Sequence, residues 1–145
     1  MNIYFSCSIT GGRAEEGTYQ AIVKELEAGG HEVPTAHLSS PQVMEMEDVV
    51  DAVEIFGRDM AWIRGCDAVV AEVSSPSHGV GYEIAYALSL GKPVFCCYKN
   101  GKRVSKIITG NTTPGLIVIG YATDEEAVTT VREFTNSLAN MGSHA

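Results

Sequence analysis

The sequence predicts an α/β domain in which helices cover both faces of a parallel sheet of about five strands, an arrangement called doubly wound. Two observations favour this fold. Short apolar runs typical of buried strands alternate with longer segments in which apolar residues recur at helical spacing. The connections are rich in Gly, Ser and Pro, and neither an internal repeat nor a low-complexity segment interrupts the alternation. In such sheets a ligand binds at the carboxyl ends of the strands, beside the first strand.

Five segments are predicted to be strands. The first runs into a Gly- and Ser-rich loop, and the third is a continuous run of mostly small and β-branched residues. The second contains Pro34, which removes a backbone donor and places that strand at an edge of the sheet. We therefore predict strands at residues 3–5, 31–37, 68–73, 94–98 and 116–119.

Segments with helical spacing separate these strands. We predict helices at residues 15–28, 48–64, 82–90, 104–109 and 124–138, with a loop over 38–47. The second helix is predicted to bury a face formed by Val49, Val53, Phe56, Met60 and Ile63. A chain of 145 residues is long enough for one hydrophobic core, so we expect one domain over 1–140 and a disordered tail over 141–145.

The composition excludes several classes of protein. The net charge is −8 and the pI is about 4.9, whereas a protein that binds a nucleic-acid polymer needs a basic surface. No apolar run is long enough to span a membrane, and the N-terminus lacks the features of a signal peptide, so we expect a cytoplasmic protein. The four cysteines form no C-x-x-C pair, which favours small buried hydrophobes over disulfides or metal ligands.

Residues 68–83 predict a strand, a tight loop and the start of a helix. Free backbone N–H groups and the positive end of the dipole at such a helix start attract anions, and Ser77 and Gly79 suit a phosphate there. Glu83 is predicted within about the first turn, where the dipole favours an ionised carboxylate able to act as a nucleophile or base. The alternative is an ordinary loop in which Glu83 is a capping charge.

Asp59 is an acidic residue on an apolar stripe of the second predicted helix, which it shares with Trp62 and two aliphatic residues. Burial would raise the pKa of its carboxyl group, so that Asp59 could hold or pass a proton near neutral pH. An ionised Glu83 and a protonatable Asp59 would then form complementary partners. The alternative is a carboxylate at the rim of the stripe, paired with Arg58 or Arg64.

Two loops are predicted to face each other across one crevice, residues 6–12 after the first strand and residues 74–81 after the third. Neither loop contains the G-x-G-x-x-G pattern of dinucleotide-binding proteins or the Lys-Ser/Thr ending of a P-loop, so NAD and ATP are not predicted. A loop that holds a phosphate beside a charged carboxylate indicates chemistry on a phosphorylated substrate.

Several motifs occur together in one order. They are Y-F-S-C-S-I-T-G-G-R at 4–13, T-A-H at 35–37, D-M-A-W at 59–62, D-A-V-V-A-E-V at 67–73, S-H-G-V-G-Y-E at 77–83 and G-K-P at 91–93. In this combination, which extends to about Gly110, the chain resembles the 2′-deoxynucleoside 5′-phosphate N-hydrolases of the nucleoside 2-deoxyribosyltransferase superfamily. The resemblance implies a flavodoxin-like, Rossmann-like dimer that splits a deoxynucleoside 5′-monophosphate into free base and 2-deoxyribose 5-phosphate. It implies neither a metal nor an organic cofactor.

The resemblance also implies a role for each site residue. Glu83 would be the nucleophile on C1′ of the sugar, Asp59 the acid or positioning carboxylate, and Tyr4 a neighbour that orients nucleophile and sugar. Water would then release the sugar from a glycosyl-enzyme intermediate. Many members carry Arg where this chain has Thr10. The substrate, and its phosphate in particular, would contact Ser6, Cys7, Ser8, Ile9, Thr10, Gly11, Gly12, Ser77 and Gly79.

Two further groups of residues are implied by the same resemblance. Tyr19 and His37 would border the base, although without the resemblance Tyr19 is a core aromatic and His37 a solvent-facing histidine. Segment 104–108 combines a hydroxyl and a cation with apolar residues that a lone subunit would leave partly exposed, which favours a two-fold homodimer. The neighbouring subunit would contribute Ser105, Lys106 and Ile107.

Three other functions stay open at this point. They are transfer of deoxyribose between bases, hydrolysis of a CMP-like ribonucleotide, and non-catalytic nucleotide binding or sensing on the same fold. Asp59 on its apolar stripe argues against the last, because a binding module does not need a carboxylate there.

Overall fold

A computed structural model describes residues 1–142 and contains a sheet of four parallel strands. The strands pair in chain order, with Tyr4 opposite Val69, Val70 opposite Phe95, and Cys96 opposite Val118. The strands are β1 (Ile3–Ser6), β2 (Ala68–Glu72), β3 (Val94–Lys99) and β4 (Leu116–Tyr121).

Helices connect the strands as the apolar spacing predicts, with differences at several ends. They are α1 (Glu16–Ala28), α2 (Val43–Asp48), α3 (Ala52–Gly65), α4 (His78–Ser89), α5 (Lys106–Thr109) and α6 (Asp124–Gly142). A 3-10 turn covers Ala36–Ser39. The last helix extends two residues into the predicted tail, and residues 143–145 lie outside the described part of the chain. Within residues 1–142, no helix has the length and apolar character needed to cross a membrane.

The two faces of the sheet have separate cores, which confirms the doubly wound arrangement. Successive side chains of a strand point to opposite faces, so β1 sends Ile3 and Phe5 to one core and Tyr4 to the other. Helices α1 and α6 cover the first core with residues such as Ile22 and Phe134. The second core contains buried residues from α3 and α4, including Met60, Ile63, Val80, Ile84 and Ala87.

The predicted strand at residues 31–37 is wrong, and for this reason the sheet has four strands. The segment makes one isolated parallel bridge, between Asn2 and Glu32, and then turns. Pro34 has no backbone N–H to extend a ladder. The backbone N–H of Phe5 donates instead to the side-chain hydroxyl of Thr35, at 2.9 Å. One side-chain hydrogen bond therefore satisfies the donor of β1 that a neighbouring strand would have used.

The region over residues 38–64 also differs from the prediction. Residues predicted as loop contain the end of the 3-10 turn and most of α2, and the next helix begins at Ala52 rather than at residue 48. Only the C-terminal half of its predicted apolar face is buried. Val49, Val53 and Phe56 are 84%, 77% and 57% exposed, whereas Met60 and Ile63 lie in the core.

The loops after β1 and β2 meet at one edge of the sheet because they lead to helices on opposite faces. The first loop leads to α1 and the second to α4. Their contact is close: a Cβ added to Gly11 would lie 2.1 Å from the backbone oxygen of Pro76. Only glycine fits this approach, so the two loops lie against each other beside the carboxyl ends of β1 and β2.

Candidate active site

A cavity of about 650 Å³ opens beside these loops. Its wall comes from the loop after β1, the end of α2, one side of α3 and the start of α4. Most of this wall is apolar, with two acidic side chains from α2 and α3 and one from α4. The lining residues are Cys7, Ile9, Thr10, Glu47, Ala52, Ile55, Phe56, Asp59, Met60, Ser77, His78, Gly79, Val80, Tyr82 and Glu83.

Glu83 lies where α4 passes the carboxyl end of β1. The hydroxyl of Tyr4 donates to its Oε2, and the hydroxyl of Ser6 donates to its Oε1 at 3.1 Å. Tyr4 and Ser6 are two residues apart on β1, so their side chains point to the same face of the sheet. Regular strand geometry thus presents two donors to one carboxylate, which faces the cavity.

The charge state of Glu83 depends on two opposing effects. Burial raises the pKa of its carboxyl group to about 8, because the charged form loses contact with water. The two hydroxyl donors favour the ionised carboxylate. The prediction that Glu83 lies within about the first turn is wrong, because α4 begins at His78 and Glu83 is in its second turn. The helix dipole acts mainly within the first turn, so it is not what ionises this group.

Asp59 lies on α3 and lines the same cavity as Glu83. Burial raises the pKa of its carboxyl group, and the guanidinium of Arg58 acts in the opposite direction. Its Oδ1 accepts a hydrogen bond of 2.8 Å from Nε of Arg58. The carboxylate therefore borders the cavity and is also paired with Arg58, as the alternative interpretation of the sequence predicts.

Polar groups gather where α4 begins. The side chain of Ser77 caps the helix by accepting the backbone N–H of Val80 at 3.3 Å, and earlier N–H groups of the first turn, such as that of Gly79, have no acceptor within the helix. On the facing loop, the hydroxyl oxygen of Ser8 is buried and has no hydrogen-bond partner among the described residues. A Cβ on Gly11 would lie 3.0 Å from that oxygen. These donors form a small polar region suited to an anion.

Cys7, Ile9 and Thr10 follow β1 and line the cavity beside this region. Burial raises the pKa of the Cys7 thiol to about 12. Cys7 is therefore a neutral lining residue and not a nucleophile. Gly12 is exposed and has a φ of 118°, a conformation that suits glycine and lets the loop turn away towards α1.

Several predicted site residues lie away from the cavity wall. Tyr19 has no exposed surface and packs in the core against Phe5, so it is the core aromatic of the alternative interpretation. His37 contacts Glu47, through Nε2 to Oε1 at 3.1 Å, instead of lining the cavity. Ser105 and Ile107 line a second cavity of about 550 Å³, which shares Ser77 and Val80 with the first. Lys106 is exposed and lines neither cavity.

Sequence reasoning missed the roles of two residues that shape the site, Arg13 and Glu47. Arg13 donates to the backbone oxygens of Ser8, Leu38 and Ser40, at 3.0, 2.8 and 3.2 Å, and so joins the first loop to the 3-10 turn. Glu47 lines the cavity and forms an ion pair with Arg58 at 2.9 Å. The acidic composition of 45–48 is the only sequence signal for Glu47, and nothing in the sequence marks its pairing with a residue on the next helix.

Comparison with known families and proteins agrees with this geometry. A family model described as nucleoside 2-deoxyribosyltransferase matches residues 3–141. The chain belongs to this family. It is 39% identical over 112 residues to a Methanococcoides burtonii protein named putative 2′-deoxynucleoside 5′-phosphate N-hydrolase 1, covering 77% of this chain and 92% of the relative. A Danio rerio protein named 5-hydroxymethyl-dUMP N-hydrolase is 36% identical over 141 residues, covering 95% of this chain and 98% of the relative.

Solved structures share the fold at lower identity. A CMP N-glycosidase from Clostridium botulinum superposes with a TM-score of 0.72 at 19% identity, covering 92% of this chain and 99% of that one. A 2-deoxyribosyltransferase from Bacillus psychrosaccharolyticus superposes with a TM-score of 0.58 at 17% identity, covering 90% of this chain and 96% of that one. Similarity at this level establishes the architecture, and the chemistry must be argued from the site.

Proposed function

We propose that this protein hydrolyses the N-glycosidic bond of 2′-deoxynucleoside 5′-monophosphates, releasing free base and 2-deoxyribose 5-phosphate. The observation that carries the proposal is the Glu83 carboxylate, which accepts hydrogen bonds from Tyr4 and Ser6 inside a cavity that also contains Asp59. The two relatives from Methanococcoides burtonii and Danio rerio are named as N-hydrolases of this kind, which supports this reaction class.

The reaction uses the two carboxylates differently. The ionised carboxylate of Glu83 attacks C1′, the bond between C1′ and the base nitrogen breaks, and the base leaves with a proton that Asp59 supplies or guides. Water then attacks C1′ of the ester formed with Glu83 and releases the sugar. Tyr4 and Ser6 hold the carboxylate in one orientation, which reduces the entropy lost on reaching the transition state.

The phosphate of the substrate is proposed to bind between the two loops. The start of α4 offers free N–H groups beside Ser77, and the unpaired hydroxyl of Ser8 lies on the facing loop. Binding energy from this remote group is available to lower the barrier at C1′. Deoxynucleoside monophosphates should therefore react much faster than the corresponding deoxynucleosides.

The test is incubation with a panel of deoxy- and ribonucleoside monophosphates and free deoxynucleosides, with released base measured by chromatography. Release of base from deoxynucleoside monophosphates by the wild type, and its loss in Glu83→Gln, is the expected result. Glu54→Gln is the matched control, because Glu54 is exposed on α3 and does not line the cavity. Failure to release base from any substrate while nucleotides bind would favour a sensing module instead.

Deoxyribosyl transfer is the second candidate, because the matching family model carries that description. Adding a second base to the assay separates the two reactions. Transfer predicts a new deoxynucleoside and equal rates with or without the 5′-phosphate, whereas hydrolysis predicts 2-deoxyribose 5-phosphate as the only sugar product. Preferential release of cytosine from CMP would identify the ribonucleotide alternative.

A homodimer with a shared site is also part of the proposal. Ile107 is 83% exposed next to Ser105, in a cavity separated from the Glu83 cavity by the Ser77 loop. A second subunit would cover this apolar side chain and bring Ser105 and Lys106 near the phosphate of its neighbour.

The shared site is tested by mixing two inactive variants, Glu83→Ala and Ser105→Trp. A hybrid dimer contains one site with both wild-type residues, so activity should reappear on mixing. Absence of recovery despite demonstrated subunit exchange, or a monomer in sedimentation, would remove the shared site.

A cytoplasmic location is proposed on the state of the cysteines. Cys7, Cys66, Cys96 and Cys97 are all buried and unpaired. Free thiols are typical of a reducing compartment such as the cytoplasm. Fractionation of cells that express the full chain would test this location.

A further inference from the structure

Arg58 connects two carboxylates that line the cavity. Its Nε donates to Oδ1 of Asp59 at 2.8 Å. Its Nη2 and Nη1 donate to Oε1 and Oε2 of Glu47, at 2.9 and 3.2 Å. The bidentate half of this arrangement fixes the plane of the guanidinium, because both nitrogens bond to one planar carboxylate. The direction in which Nε points towards Asp59 is then also fixed.

Aromatic contacts restrict the same guanidinium from a second side. Its central carbon lies 4.8 Å from the centre of the Trp62 ring, four residues further along α3. The ring of His37 meets Trp62 edge to face at 6.2 Å, and its Nε2 contacts Oε1 of Glu47. Arg58 is only 23% exposed at its side chain, so the arrangement is partly shielded from water.

The position of the Asp59 carboxylate depends on this arrangement. Arg58 donates a side-chain hydrogen bond to Asp59, and the imidazole of His37 lies nearby. Glu47 is a second negative charge nearby and opposes ionisation of Asp59. The charged and titratable groups that face Asp59 across the contact or the cavity are Arg58, Glu47, His37, His78, Tyr82 and Glu83.

We propose that Arg58 is a positioning residue for the reaction, which orients Asp59 towards the base end of the cavity and is itself held in place by Glu47. This role depends on the proposed hydrolysis, in which Asp59 acts at the leaving base. Arg58 lines neither cavity and touches no reacting atom, so it acts through Asp59.

The contact is tested without reference to activity. Asp residues labelled with ¹³C at Cγ are titrated by NMR in the full-length protein, and the Asp59 signal is identified by its absence in Asp59→Asn. Loss of a nearby positive charge favours the neutral carboxyl group, so Arg58→Gln should raise the pKa of Asp59 by about 1 unit. Arg58→Lys should give a smaller rise, because lysine keeps the charge and loses the fixed fork of donors.

The matched control is Arg64→Gln. Arg64 lies on the same helix and donates to the hydroxyl of Tyr86 at 3.1 Å, away from the cavity. The control should leave the Asp59 titration unchanged. An Asp59 pKa in Arg58→Gln equal to that of the wild type would overturn the proposal.

Kinetics test the consequence of the contact. A carboxylate that is free to rotate is misplaced in most complexes, so kcat in Arg58→Gln should fall about 10- to 100-fold while KM changes less than about 3-fold. Arg58→Lys should recover part of the loss, and Arg64→Gln should behave as wild type. A normal kcat in Arg58→Gln would overturn the positioning role. If the wild type hydrolyses no nucleotide, the proposed function is wrong. The NMR titration then still tests the contact between Arg58 and Asp59.

Discussion

Glu72 is a buried glutamate and Glu83 is a partly buried one, and the two accept similar hydrogen bonds in different surroundings. Glu83 accepts from the hydroxyls of Tyr4 and Ser6. Glu72 accepts from the hydroxyl of Tyr121 at 2.5 Å, and from the hydroxyl and backbone N–H of Ser74 at 2.8 and 2.6 Å. Glu83 faces a cavity of about 650 Å³, whereas Glu72 has no exposed surface. Donors alone therefore do not distinguish a reactive carboxylate from a structural one.

The two glutamates differ in the face of the sheet on which each side chain lies. Glu72 is the last residue of β2 and has the same alternation as Ala68 and Val70, so its side chain points towards the core beneath α1 and α6. Glu83 comes from α4, which covers the opposite face of the sheet. Its carboxylate lies at the carboxyl end of β1, beside the cavity. Only the second position has space for a substrate beside the carboxylate.

The largest expected difference is in catalysis. Glu83→Gln should lower base release by about 1,000-fold or more, because a neutral amide cannot attack C1′. Steady-state assays on a deoxynucleoside monophosphate measure this loss, and circular dichroism checks the fold. Near wild-type turnover in Glu83→Gln would show that the two carboxylates differ only in exposure.

Folding stability should depend more on Glu72 than on Glu83. Glu72→Gln places an amide N–H₂ group where three donors converge, so one donor loses its acceptor and the free energy of unfolding should fall by about 1 to 3 kcal/mol. Urea denaturation measures the change, with Glu83→Gln as the matched substitution. The folded Glu72→Gln protein should keep kcat within a few-fold of wild type, and a much larger loss would assign Glu72 a role in the reaction.

The pH dependence of stability should separate wild type from Glu83→Gln. Burial raises the pKa of Glu83 from 4.5 to about 8, so ionising it in the folded protein costs free energy. This cost is absent below the ordinary pKa, grows as the pH rises between the two values, and is complete above the folded-state value. Glu83→Gln should therefore be more stable than wild type by several kcal/mol, on the order of 4, at about pH 8.5, and equal to it at about pH 4. Thermal unfolding across this range measures the difference, and a constant difference at all pH values would contradict it.

The smallest expected effect concerns the two tyrosines. The protonated Glu83 cannot attack, so kcat/KM should decrease on the acid side of its pKa. Tyr4→Phe removes a donor that favours the ionised carboxylate and should move this acid limb upward by about 0.5 to 1 pH unit. Tyr121→Phe removes the corresponding donor of Glu72 and should leave the limb in place. Equal shifts in both variants would show that the hydroxyls act through the sheet as a whole.

Much of the fold could be predicted because its signals are local. The run from Ala68 into the loop before Glu83 predicts a strand, a turn and a helix from residue type alone, and the order of strands and helices then restricts the topology to a parallel sheet. The failed prediction at residues 31–37 has a tertiary cause. That segment follows the first helix, where a strand is expected, but Pro34 stops the ladder and Thr35 satisfies β1 through its side chain.

Some features of the candidate site could likewise be predicted from the sequence, and others could not. The sequence by itself determined that a Ser- and Gly-rich loop ends at a helix carrying Glu83, and that Asp59 lies among apolar residues, since both depend on neighbours along the chain. Only the tertiary structure decided that Tyr4 and Ser6 bind Glu83, that Tyr19 belongs to the core, and that Arg58 joins Asp59 to Glu47. These facts depend on residues far apart in the chain. The pKa of Glu83 is of the same kind, because burial is set by what packs around the carboxylate and not by its place in the helix.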